Sequence, residues 1–265
     1  MQILNPEINI DIFFNMIGKA QNRALLLDYD GTLAPFQRER DMAFPYPGVR
    51  DILAQIIRDR KTRVVVISGR SLETLIPLLG LEHPPEIWGS HGGERLLPDG
   101  TFFRETLSEV AYLALESIAD WIRRIGWESL LEKKPLGLAI HWRGLDRDKI
   151  HEIEKGVMTK VPSNLEGLGL FLHKFDGGLE FRPQGIAKDV AVKSIFKEMG
   201  RDAVVAYMGD DLTDEDAFKA IKDRGLGILV RDELRVTKAD LWLRPPDELL
   251  AFLQRWVGAE TCPKP

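Results

Sequence analysis

Residues 25–36, LLLDYDGTLAPF, decide how the rest of the chain is read. Three leucines in a row form too short an apolar run for a helix, and a run without alternation suits a strand buried on both faces of a parallel sheet. The run ends in two carboxylates, Asp28 and Asp30, one residue apart, followed at once by Gly31 and Thr32. A strand that leaves the interior through two acids and a turn residue places charge at a sheet edge, where open parallel sheets hold their ligands.

The same pattern recurs. RVVVISG (63–69) is a second buried run ending in Ser68, Gly69 and Arg70, and EIWGSHGGE (86–94) is a third strand with its exit. AVVAYMG (203–209) runs into Asp210, Asp211, Leu212, Thr213 and Asp214. Helices are predicted between these runs. One lies near the N-terminus with Ile8, Ile10, Phe13, Phe14 and Ile17 inward. Others run from Pro47 to Arg60, from Ser71 as N-cap to Gly80 as stop, and from Lys188 onward. Further strands are LGILV and ADLWLR, and a closing helix follows Pro246. Strands alternating with helices give an α/β fold with a parallel sheet.

The middle of the chain breaks this rhythm. A long helix over 106–126, with Leu107, Val110, Leu113, Ile118, Trp121 and Ile122 on one side, precedes strands that come in adjacent pairs. The last pair is a hairpin turning at Asp176-Gly177-Gly178. Adjacent strands suit an antiparallel sheet under helices. The expected organisation is therefore a core made of 1–105 and 182–265 with an α+β domain, 106–181, inserted between its halves.

Bulk composition agrees with one large folded domain or a domain carrying an insertion. Of 265 residues, 44% are hydrophobic and 29% charged, enough to fill a core. A net charge of -5 with interspersed signs gives no basic footprint for nucleic acid. One cysteine, Cys262, supports neither a disulfide framework nor a thiolate metal site. No basic start with a long apolar stretch marks a signal peptide, and no run approaches the ~20 apolar residues of a membrane span. A monomer in the cytoplasm is the expectation.

Four carboxylates, Asp28, Asp30, Asp210 and Asp214, repel one another unless something compensates them. A hard divalent cation does so, and Mg²⁺ takes one or two carboxylates together with water and substrate phosphate. Ser68, Gly69 and Lys188 offer donors for phosphoryl oxygens. Asp28 can then attack phosphorus and form an aspartyl phosphate, while Asp30 protonates the leaving oxygen and later activates water. Gly31 permits the tight turn that begins after Asp30 and folds it back, and Thr32 caps it.

The ordered set DYDGT, SGR, a later lysine and GDDLTDE resembles the haloacid dehalogenase-like phosphatases. That resemblance implies a Rossmann-like core, Asp28 as nucleophile and Asp30 as general acid/base. It implies Mg²⁺ held by Asp28, the backbone carbonyl of Asp30, and Asp210, with Asp214 either a ligand or a residue behind the ligands. LEKKPLGLAIHWR (131–143), LEFRPQGIAK (179–188) and GSHGGE (89–94) are similar to stretches of the trehalose-6-phosphate phosphatases. Carried over residue by residue, a sugar site would comprise Glu132, Lys134, His141, Arg143 and Glu180, with Arg70 and Lys174 added as substrate contacts. Trp142 is read as core and His91 as structural. The family has glycine after the motif lysine, where this chain has Asp189. Trehalose 6-phosphate is the leading substrate. The alternatives are sucrose phosphate, mannosyl- or glucosyl-3-phosphoglycerate, a phosphomutase, a phosphoacceptor domain, and a catalytically silent sugar-phosphate-binding module.

Overall fold

A computed structural model describes residues 1–37, 39–161, 164–175, 177–222 and 224–261. Cys262 and the turn residue Asp176 lie outside the described residues. The chain divides into two compact units, one of Met1–Phe103 with Ala187–Pro265, the other of Arg104–Ile186. No helix among the described residues is long and apolar enough to cross a membrane.

With elements numbered along the whole chain, the first unit contains β1 (Gln2–Ile3), α1 (Ile10–Lys19), β2 (Arg23–Leu27), α2 (Val49–Asp59), β3 (Arg63–Ile67) and α3 (Leu72–Leu79). β4 (Glu86–Gly89), β5 (Glu94–Leu96) and β6 (Phe102–Arg104) follow, the last ending on the residue where the second unit begins. After the second unit come α6 (Lys188–Met199), β11 (Val204–Gly209), α7 (Glu215–Ile221), β12 (Leu226–Val230), β13 (Leu241–Leu243) and α8 (Asp247–Thr261). The strands form one sheet in the order β1-β13-β12-β11-β2-β3-β4-β5-β6. Strands β13 through β4 in that order are mutually parallel, while β1 and β5 join antiparallel.

Strand periodicity divides the core in two. Leu25, Leu27, Val64, Val66, Ala206 and Met208 face α1, α2, α3 and α8. Ala24, Leu26, Val65, Ile67, Val205 and Tyr207 face α6 and α7. Continuous apolar strands are what a sheet covered on both faces requires, which is why LLL and VVVI read as they do. The central position of β2 between β11 and β3 follows from the same burial, since Arg23 to Leu27 are buried throughout.

The second unit contains α4 (Glu109–Arg124), β7 (Leu131–Lys134), β8 (Gly137–His141), α5 (Arg147–Lys160), β9 (Leu170–Phe175) and β10 (Gly178–Pro183). Its sheet, ordered β7-β8-β10-β9, is antiparallel at every pairing. Leu138, Ile140, Leu170, Leu179 and Phe181 pack under α4 and α5 with Trp142.

Four points of local structure correct the expectations or add to them. Val110 and Leu113 are more than half exposed, because α4 buries the stripe Ala111, Leu115, Ile118, Ala119 and Ile122, which keeps helical spacing where the expected set did not. Ser71 occupies the N-cap position of α3 but makes no capping bond; the Leu72 N–H goes to Glu94 instead. The strand expected through Arg143 ends at His141, and the chain turns at Gly144 with φ +87°. β1, two exposed residues pairing at the sheet edge, has no periodic signal and was not expected.

Candidate active site

Because β3, β2 and β11 are parallel neighbours, their carboxyl ends bring distant segments to one edge. Asp28 follows β2, and its N–H donates to the Met208 carbonyl at 2.8 Å. Asp210 follows β11, and Ser68 follows β3. Lys188, the first residue of α6, donates from Nζ to Asp28 Oδ1 and to Asp214 Oδ1, both at 2.7 Å. All of these side chains are buried. Carboxylate oxygens of Asp28, Asp210 and Asp214 lie within 4.8 Å of one another.

One ammonium among three buried carboxylates leaves a surplus of negative charge. Burial, opposed by Lys188 and reinforced by Asp214, pushes the Asp28 carboxyl up to about 7. Burial and the neighbouring Asp28 and Asp214 charges push Asp210 well above the usual carboxylate range. Burial would lower Lys188, but the charges of Asp214 and Asp28 outweigh it and keep the ammonium protonated.

The three acids differ in hydrogen bonding. Asp214 is saturated: Oδ1 accepts from Lys188 and from the Tyr207 hydroxyl, and Oδ2 accepts from the N–H groups of Asp210 and Asp211 at 3.0 and 2.9 Å. Four bonds are about what a carboxylate can accept. Asp210 is the opposite case, with both side-chain oxygens buried and without a hydrogen-bond partner. A buried orphan carboxylate is expensive unless it binds a cation. Gly31 shows how close the packing is there. Its φ is +83°, and a Cβ at that position would lie 2.2 Å from Asp210 Oδ2. Hard oxygen donors with an unsatisfied member fit Mg²⁺. Among the described residues, Asp28, Asp210 and Asp214 lie close enough together to hold it, and of the three Asp214 has its acceptors already engaged.

Asp30 and Arg70 meet each other. Arg70 Nε and Nη2 donate to the two Asp30 oxygens, each at 2.7 Å, a two-pronged pair that fixes the carboxylate's orientation. Arg70, expected on the substrate, thus holds a catalytic candidate. The buried Ser68 hydroxyl accepts from the Arg70 N–H at 3.1 Å, and Thr32 Oγ1 donates to Asp28 Oδ2 at 3.3 Å. Asp189 turns away from the site, its carboxylate taken by Lys193 one helical turn on at 2.6 Å. Two residues lack any sequence signal for their roles. Tyr207 reads as one more strand residue, yet its hydroxyl reaches Asp214. Arg235, in a loop, donates to the carbonyls of Asp211 at 2.7 Å and Asp210 at 3.2 Å, holding the acidic loop from outside.

In the second unit, antiparallel register sorts the expected sugar residues by face. Glu132, Ala139, Glu180 and His173 stand side by side across the four strands. Lys134 and His141 share that face, opposite the one covered by α4 and α5. Lys134 donates to Glu180 at 2.7 Å, and the His141 ring lies 2.7 Å from Glu132. Phe175 meets His141 edge-on with ring centroids 5.5 Å apart. Two expected members are elsewhere. Lys174 is opposite Leu179 on the helix-covered face and pairs with Glu154 of α5, since alternate residues of a strand point to opposite sides. Arg143 lies past the end of β8, exposed, with its guanidinium beside Gly177.

Residues 26–240 match the family model described as trehalose-phosphatase. The trehalose-phosphate phosphatase of Mycobacterium marinum is 32% identical over 245 residues, covering 88% of this chain and 60% of that protein, so the chain spans about three fifths of this relative. Trehalose-phosphate phosphatase B of Arabidopsis thaliana is 30% identical, covering 94% of this chain and 70% of the relative. Among solved structures, the C-terminal domain of trehalose-6-phosphate phosphatase from Candida albicans superposes with a TM-score of 0.79 at 22% identity, covering 97% of this chain and 99% of that one. Motif order, site geometry and the match across most of its length agree: the chain belongs to the trehalose-phosphatase family.

Proposed function

We propose that this chain is a Mg²⁺-dependent phosphomonoesterase that hydrolyses trehalose 6-phosphate to trehalose and phosphate. The observation that carries the reading is the buried set Asp28, Lys188 and Asp210, with Asp210 orphaned. Asp28 attacks phosphorus; the bond to the sugar oxygen breaks and an aspartyl phosphate forms. Asp30, oriented by Arg70, delivers a proton to the departing oxygen and then takes one from the water that hydrolyses the acyl phosphate. Ser68 and the Gly69 backbone donate to the phosphoryl oxygens. Lys188 keeps Asp28 oriented and balances charge as it develops on those oxygens. Mg²⁺, when held by Asp28, Asp210 and the Asp30 carbonyl, supplies charge neutralisation between the carboxylates and the phosphoryl group. Asp214 braces this arrangement and is no ligand in this reading, because its acceptor capacity is spent.

Recognition of the sugar is assigned to Glu132, Lys134, His141 and Glu180, whose paired acceptors and donors suit a molecule rich in hydroxyls. Arg143 is retained on its exposure beside the hairpin; Lys174 is not. The test is phosphate release with Mg²⁺ from trehalose 6-phosphate, sucrose 6-phosphate, glucosyl- and mannosyl-3-phosphoglycerate, glucose 6-phosphate and p-nitrophenyl phosphate, with Asp28→Asn as blank. Preference for trehalose 6-phosphate is expected. Preference for another sugar phosphate overturns the substrate, and silence across the panel overturns the activity.

A further inference from the structure

We propose that His91 is a positioning residue for the phosphoryl group, its imidazole setting the place of the Ser68–Gly69 loop. The inference rests on the reading of that loop as the phosphate binder. The loop joins β3 to α3 and is tied on both sides to the segment that leaves β4. Ser68 N–H donates to Trp88 at 2.8 Å, His91 N–H to Ser68 at 2.8 Å, and Ser90 N–H to Arg70 at 2.7 Å, each to a carbonyl oxygen. Glu94, fully buried, completes the brace by accepting from the Ser90 hydroxyl at 2.8 Å and from the Leu72 N–H at 3.2 Å.

Two facts single out the ring. Ser90 and His91 both adopt left-handed backbone, with φ of +49° and +58°. Such a conformation costs a non-glycine residue about 1 kcal/mol or more. Glycines 92 and 93 follow directly, so a glycine at 91 would serve the backbone better than histidine. The imidazole must offset that cost. It does so at Gly69: a Cβ on Gly69 would lie 2.6 Å from His91 Nε2 and 2.7 Å from Cε1. The ring fills the space a side chain at 69 would occupy and stops the Gly69 backbone from sinking away from the phosphoryl group. Ser68 and Gly69 are thereby held in place, with the buried ring packed on Gly69.

The test uses His91→Gly, His91→Asn and Ser68→Ala in the full chain. Binding of inorganic phosphate in the presence of Mg²⁺ is measured by calorimetry. Turnover of p-nitrophenyl phosphate and trehalose 6-phosphate is measured alongside, and thermal melts report folding. Glycine suits the backbone at 91, so His91→Gly removes the ring without adding strain. We expect phosphate Kd to rise about tenfold and kcat/KM to fall about equally on both substrates. Asparagine tolerates the left-handed region and refills part of the space, so His91→Asn recovers part of the loss. If His91→Gly does not fold, His91→Asn is read alone and is expected to weaken phosphate several-fold. Phosphate affinity unchanged in the folded variant, or a loss confined to trehalose 6-phosphate, overturns the proposal. Ser68→Ala separates the two levels. If it too leaves phosphate binding unchanged, the loop is not the phosphate binder. If it weakens binding while the His91 variants do not, only the role of His91 falls.

Discussion

Replacing Asp28 by asparagine should stabilise the metal-free protein, and only above acid pH. The Asp28 carboxyl is raised from 3.8 to about 7, by burial first, and Lys188 only partly offsets this. The folded state therefore holds that proton more tightly than the unfolded chain. Stability from this group is fully present below about pH 4, where both states are protonated. It declines as pH rises and is gone once pH passes about 7. Each tenfold change in proton affinity is worth 1.36 kcal/mol, so the decline amounts to about 4 kcal/mol. Asparagine has the same shape, can accept from Lys188 and does not titrate. Unfolding in urea with EDTA, from pH 4.5 to 9, should show the variant gaining on the wild type by about 3 kcal/mol, most of it between pH 4.5 and about 7, then holding level. Millimolar Mg²⁺ should narrow the gap at alkaline pH by compensating the wild-type carboxylates. A gap independent of pH, or one that widens toward acid, would refute the electrostatic argument.

Lys188→Met should lose activity and, without Mg²⁺, destabilise the fold by about 3–5 kcal/mol in neutral urea titrations, because Asp28 and Asp214 lose their shared cation. Gly31→Ala should abolish the stabilisation that Mg²⁺ gives in thermal melts, since the new Cβ would overlap the Asp210 carboxylate and the backbone there is left-handed. Glu180→Gln should raise KM for a sugar phosphate about tenfold or more while leaving p-nitrophenyl phosphate turnover within about twofold, because Lys134 loses its charged partner on the polar face. Lys174→Ala, on the helix-covered face, should change neither.

Much of this was legible in order and spacing alone. Buried runs that stop at Asp28, Ser68 and Asp210 announce a parallel sheet and place its polar edge, because an apolar strand covered on both faces has only its ends free for charge. Gly31 and Gly80 were readable as turn and stop, since left-handed backbone selects glycine. Partnership was not readable. Lys188 meets Asp28 across 160 residues of chain, and nothing local says that the Asp214 carboxylate will be saturated while that of Asp210, four residues earlier, is left without a hydrogen-bond partner. That Arg70, expected on the substrate, grips Asp30 was not legible either, because the edge of the sheet brings the two together across 40 residues of chain. Lys174 looked like a member of the sugar set until strand register turned it toward α5. Val110 and Leu113 looked inward until the packing of α4 chose the neighbouring stripe. Residue order alone sets which residues end strands, hence the class of fold and the chemical character of its edge. Tertiary structure decided which of those charges satisfy one another and which is left over, because pairing depends on separation in space, and the buried remainder at Asp210 is where a cation would gain most.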